Sequence, residues 1–498
     1  MSVFAPLDPL KPADMPERKG SFWQLVGPGA VLVGLSIGAG EIIIWPRVVA
    51  QHGAGMVWAA VIGVVLQLWI NFEIGRWTIA TGETAYTGFS RIWRGFGPLF
   101  ILLNVLAWLA PGWAQASGSA AKALLVGPSF AAGTIWGSRT LWTCLTFGVV
   151  WLLLFGPKMI YNTVEKSIEL MVLTVTGGLI VVACVVGTAA TWQELGAGII
   201  NVGYKAPDFP IKELFIALVF AGAGGTSNLF YCFYLRDKNI GMGALIPDMQ
   251  NPLRGRTESI PSTGFAYEDT PENAAKFKSW FRYLCGDQVL FFWFLNTFTL
   301  LLFIFGALAV LHSKGIVPAD NTLIWDESEI LRGAFGQWGE AWGWVGQRLF
   351  LLVGVATLFS TQLAIVDGVS RSIADIIYTN FAGARRRELS WWYAVIAMSW
   401  IVVGCLITAV TEICDIKQLG VLFNAAYMGG FAMAIYVPLT LYMNLKFLPK
   451  SARPGAAHIV MSVLASVLYI GFSIYCIWWE VKWGVGPQLW QWIERRIL

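Results

Sequence analysis

Residues 27–45 read GPGAVLVGLSIGAGEIIIW. An apolar run from Phe22 to Ile37 is interrupted by Gly38-Ala39-Gly40-Glu41 and resumes through Ile44. About 20 predominantly apolar residues cross a bilayer as helix, so the stretch reads as a membrane helix that breaks in its middle. A carboxylate beside two glycines, halfway through a span, is costly in lipid and marks Glu41 as a functional candidate.

The rest of the chain has the same character. Of 498 residues, 56% are hydrophobic and 13% charged, with a mean hydropathy of +0.62. A soluble domain carries roughly 25% charged residues, so the chain reads as an all-α polytopic membrane protein. Eleven spans are expected, at 22–50, 56–77, 97–120, 140–156, 165–190, 211–235, 283–311, 346–378, 391–411, 418–446 and 456–479. The 26 tryptophans suit interfacial belts at many helix ends. The seven cysteines show no CxxC spacing, and most fall in apolar runs as small core residues. The three histidines lie far apart and form no recognisable ligand set. The first twenty residues lack the apolar stretch of a cleavable signal.

Loop charge predicts the orientation. Arg91 and Arg94, Lys158 and Lys166, seven basic residues of 236–282, Arg385 to Arg387, and Lys446, Lys450 and Arg453 all fall on one side. The 312–345 segment on the other side is acidic, with Asp320, Asp326, Glu327, Glu329 and Glu340. The expectation is an integral protein of the plasma (inner) membrane, N-terminus cytoplasmic and C-terminus extracytoplasmic. The polar, proline-containing loop 236–282 reads as a cytoplasmic connector.

A second break matches the first. Span 6 is interrupted at Gly222-Ala223-Gly224-Gly225-Thr226-Ser227-Asn228. Spans 1 and 6 are five apart, an odd number, so the second half enters the membrane from the opposite side. Paired glycine-interrupted spans point to an inverted repeat with its binding site at the midplane. Unwound backbone at that depth must be satisfied by cargo, water or neighbouring side chains. The chain divides accordingly into 1–21, a cytoplasmic N-terminal segment; 22–190, the first repeat; 211–446, the second repeat; and 456–498, span 11 with a tail at 483–498 that reads as an interfacial helix.

Three stretches resemble the Nramp (natural resistance-associated macrophage protein) metal transporters, over spans 1 to 10. GPG at 27–29 resembles the start of that family's first helix. RWTIATG at 76–82 resembles its motif after span 2. Gly222, Ala223, Asn228 and Leu229 resemble its broken sixth helix. The resemblance implies a LeuT-like five-plus-five inverted repeat with helices 1 and 6 broken, and secondary transport by alternating access. It also shows this chain to be divergent. The family's metal-binding D-P-G-N is here Gly38, Ala39, Gly40 and Glu41. Its methionine position is Gly225 or Thr226, its histidine position Ser227 or Asn228, and an acidic pair after span 2 aligns with Thr84 and Thr87.

The candidate site therefore comprises Glu41, Gly38, Ser36, Gly222, Thr226, Ser227, Asn228 and Asn424, with Glu41 and Asn228 as metal ligands. All its side-chain donors are oxygens or amides, and oxygen donors suit Mg²⁺ or Mn²⁺ rather than softer metals. The expected activity is import of such a divalent cation, with protons as a candidate coupling ion. Alternatives are a small organic solute or anion, with Trp113 and Gln115 also lining the pocket, or a non-transporting membrane sensor. Two further groups are candidates for a gate or proton path: Glu73 with Arg76, one helical turn apart, and Asp367, Arg371 and Asp375 at i, i+4 and i+8 of span 8. There is no phosphate-binding loop, no cofactor motif, no enzyme constellation and no nucleic-acid signature.

Overall fold

The computed structural model describes residues 4, 7–25, 27–127, 134–156, 160–247, 249, 260–318 and 323–482. Among the described residues, eight helices are long and apolar enough to cross a membrane. One of these, Pro28–Thr81, turns back on itself at His52–Gly53 and holds spans 1 and 2. The shorter apolar helix Arg139–Phe155 and the interrupted helix pair Ile211–Val219 and Tyr231–Asp237 bring the spans to the eleven expected. The chain is an all-α integral membrane protein. The interfacial helix expected over 483–498 lies outside the described residues.

Most spans keep their expected bounds to within a few residues, and the departures have local causes. Span 3 is two helices, Phe96–Trp108 and Gly112–Leu125, rather than one. Pro111 between them cannot donate into a continuing helix, and Gly112 packs against the backbone of span 10, where a Cβ would lie 2.6 Å from Leu422 N. Span 7 begins much earlier than expected, at Pro271, where Thr270 caps the helix by accepting from Asn273 N. The last part of loop 236–282 is therefore helix. Span 7 then widens into π-turns at Gln288–Leu295 and Ala307–His312. The cysteines are less uniformly internal than expected: Cys232 and Cys476 are buried, whereas Cys184 and Cys414 are exposed.

The N-terminal segment is an ordered strap across one face. Lys11–Pro12 pair in parallel with Phe265–Ala266. Met15 N donates to Asn273 Oδ1 (3.0 Å), and Trp280 Nε1 donates to Pro16 O (2.8 Å). The paired loop is held from below as well, because Gly264 N donates to Glu83 Oε1 (2.8 Å), and Glu83 is itself paired with Arg91. The strap thus ties the 260–270 loop to the end of span 2.

Candidate functional site

Both breaks predicted from glycine runs are present. The helix Pro28–Ser36 ends where Ile37 turns out of helical conformation (ψ 84°), and the chain resumes as a π-turn at Gly40–Ile44. In span 6, Ile211–Val219 gives way to Gly224 and Gly225, both at positive φ (68° and 54°), and then to the 3₁₀ turn Gly225–Phe230. Left-handed backbone of this kind is cheap only for glycine. The two breaks touch directly: a Cβ on Gly40 would lie 1.9 Å from the carbonyl oxygen of Phe220.

Two amides outside the predicted site satisfy the unwound backbone. Asn296 on span 7 accepts from Ser36 Oγ (2.5 Å) and donates to Ala221 O (3.0 Å), bridging break to break. Gln67 on span 2 donates to Val219 O (2.9 Å) and accepts from Gly224 N (3.0 Å) and Asn228 Nδ2 (3.2 Å). Each is an amide set in a largely apolar run. That is the signal the sequence offers, since a buried amide without partners would cost several kcal/mol.

The predicted side chains of the breaks are largely spent on internal bonds. Thr226 donates to Asn104 Oδ1 and accepts from Trp108 Nε1, both at 2.8 Å. Ser227 Oγ donates to the carbonyls of Ala223 and Gly224. Asn228 Nδ2 also donates to Tyr436 (3.2 Å), while its Oδ1 has no partner. Between the breaks lies a narrow cavity, lined by Gly38, Ala39, Trp108, Trp113, Phe220 and Thr361 among others. Ser36 and Gly222 reach it too, and its open space is about that of one water molecule.

Glu41 is buried at the break but lies outside the lining of this cavity. It faces span 7. Thr299 is the polar group beside it, yet the Thr299 hydroxyl donates to the carbonyls of Leu295 and Asn296. Among the described residues, neither carboxylate oxygen of Glu41 has a hydrogen-bond partner. Asn424 is exposed in the second turn of span 10 and is not brought to the site, because that helix presents Leu422 and Ala425 inward instead. Trp113 does line the cavity, whereas Gln115 points to span 9 and donates to Thr411 Oγ1 (2.9 Å). Among the described residues, no three His, Cys, Asp or Glu side chains gather as a metal-ligand group.

The expected gating residues are rearranged. Glu73 and Arg76 do pair (3.1 Å), but as part of a buried network rather than at an interface. Glu73 accepts from Asn444 Nδ2 (2.8 Å) on span 10 and lies 2.9 Å from His458 Nδ1 on span 11. Arg76 donates to Ala452 O and stacks over Phe281. The cluster fastens spans 10 and 11 to span 2, away from the breaks.

On span 8, Arg371 is expected between two acids of its own helix. It pairs with Asp367 (2.8 Å) and, in place of Asp375, with Asp237 at the end of span 6. Asp375 instead accepts from Thr84 (2.6 Å) and Thr87 (3.3 Å) and lies 3.7 Å from Arg236. Thr84 and Thr87, which align with an acidic pair, thus hold a carboxylate supplied by span 8. Two further buried acids are not among the predicted site residues. Asp287 on span 7 accepts from Tyr231 (2.9 Å) and sits against Gly29, where a Cβ would lie 2.5 Å from its carboxylate. Glu327, on the opposite side from the strap, has no hydrogen-bond partner for its carboxylate among the described residues.

No family model matches the sequence, and no curated protein matches it. Solved structures do. A histidine-to-alanine mutant of the Eremococcus coleocola manganese transporter superposes with a TM-score of 0.63 at 15% identity, over 94% of this chain and 90% of that one. The same transporter in complex with an aromatic bis-isothiourea substituted compound gives 0.57 at 15% identity, over 93% and 96%. MhsT in complex with L-phenylalanine gives 0.54 at 14% identity, over 90% and 97%. At these identities the likeness establishes the fold: the chain has the LeuT-like architecture, broken in spans 1 and 6, that the resemblance to the Nramp family implied.

Proposed function

We propose that this chain is a secondary transporter working by alternating access, and that its cargo is a divalent cation of the Mg²⁺ or Mn²⁺ type. The observation that carries the cargo assignment is Glu41: a fully buried carboxylate, at a helix break, with both oxygens free of hydrogen bonds. A buried anion without a partner is strongly disfavoured, and a cation reaching the first break on its span 7 side supplies that partner. Asn228 Oδ1, also unpartnered, is the second candidate ligand. With one carboxylate and no thioether, the site keeps several cation waters, as Mg²⁺ sites do, and does not discriminate for soft metals. The bilayer is the plasma membrane, the strap face is cytoplasmic, and protons are the candidate coupling ion.

One observation favours a second reading. The cavity wall is Trp108, Trp113 and Phe220 with glycines, and no acid lines it, a composition suited to a small organic solute. Flux into liposomes separates the two. Under the cation reading, Mg²⁺ or Mn²⁺ enters in preference to Cd²⁺, and Glu41→Gln lowers that flux by more than about tenfold, the scale even of outer-shell losses at metal sites. Near wild-type cation flux by the variant, or flux of amino acids or organic acids alone, rejects it. A pH gradient imposed across the same liposomes tests proton coupling.

A further inference from the structure

The helix Tyr231–Asp237 is the half of span 6 that follows the break. At its far end stand three consecutive charges, Arg236, Asp237 and Lys238. Each is paired with a different residue of a neighbouring span. Arg236 Nη1 lies 3.7 Å from Asp375 Oδ1, Asp237 accepts from Arg371 Nη1, and Lys238 Nζ donates to Glu165 Oε1 on span 5 at 2.7 Å. The partners are themselves braced. Asp367 holds Arg371 and accepts from Tyr393 on span 9 (2.9 Å), while Thr84 and Thr87 hold Asp375. Five of the six paired side chains are nine-tenths or more buried. At its other end the half-helix connects through Gly224 and Gly225, both in left-handed conformation.

We propose that Arg236, Asp237 and Lys238 are a latch. They hold a glycine-hinged half-helix against spans 5 and 8, and their release opens the site toward the strap face. Ion pairs suit a surface that must part. Apolar side chains exposed by opening would meet water at a steady cost per unit area, whereas separated charges recover their hydration. Three pairs therefore specify the closed arrangement without heavily penalising the open one. The inference rests on the alternating-access reading but not on the identity of the cargo.

The half-helix carries its own reporter. Cys232 is fully buried, with its thiol against the backbone of Ala85. Cys476, buried on span 11, serves as an internal control. Maleimide labelling of the full chain in nanodiscs, read peptide by peptide by mass spectrometry, needs no cargo and no activity. Asp237→Asn or Lys238→Glu should raise the Cys232 labelling rate by about tenfold or more, given what loss of one partner costs a buried pair, with Cys476 unchanged. Combining Lys238→Glu with Glu165→Lys should bring the rate back. Unchanged Cys232 labelling, a parallel rise at Cys476, or failure of the exchanged pair to restore protection would each overturn the latch. A flux assay that finds no cation transport would reject the cargo and leave this result standing.

Discussion

Asn296 shows how one side chain can hold a broken helix together. Its two polar ends serve two different spans, accepting from Ser36 and donating to Ala221 O. Asn296→Ala removes both bonds and strands a buried hydroxyl and a buried carbonyl, at about 1–3 kcal/mol for each group left unsatisfied. The variant should unfold several degrees below wild type in a thermal melt of the purified protein. An unchanged melting temperature would show that water replaces the amide without loss. At this scale the sequence is partly legible. Glu41 can be singled out because a lone acid in an apolar run is visible locally. Its isolation from the cavity cannot be, because the direction it faces depends on the π-turn and on span 7. Asn424 misleads for the same reason: residue type suggests a lining group, and helix phase puts it outside.

At the scale of elements, the breaks are legible and their contacts are not. Glycine runs announce where backbone departs from helix, and spans of about 20 apolar residues announce themselves by length. That Gly40 meets the Phe220 carbonyl, however, is set by the crossing of two helices far apart in sequence. Gly40→Ala places a methyl group within 1.9 Å of that backbone oxygen, and neither partner is a flexible side chain. We expect the two breaks to be forced apart and folded protein to be lost, read as a collapse of the monodisperse peak in size-exclusion chromatography. A normal peak would mean that the spans can slide. By contrast, Gly177 has open space at the Cβ position, and Gly177→Ala should leave the profile unchanged. Pro111 is a readable signal for the split of span 3, outweighed in the hydropathy pattern by the surrounding apolar residues.

For the whole molecule, hydropathy yields eleven spans and their paired breaks but not the partners of buried charges. Arg371 has Asp367 and Asp375 at helical spacing, and local reasoning assigns it both. The folded chain brings Asp237 to it instead, from 134 positions away. Pairing across that distance follows from how spans 6 and 8 pack against each other, which no local pattern encodes.

The strap adds a consequence in time. Lys11 and Pro12 find their partners at Phe265 and Ala266, and Met15 and Pro16 theirs at Asn273 and Trp280. During synthesis residues 11–16 are made long before their partners and must therefore wait undocked until the chain has passed residue 280. Contacts so distant in sequence form late. A nascent chain stopped before residue 260 should leave residues 7–16 open to protease, and one extended through span 7 should protect them. Docking of the N-terminus would then report that six spans are already threaded and that the seventh has begun.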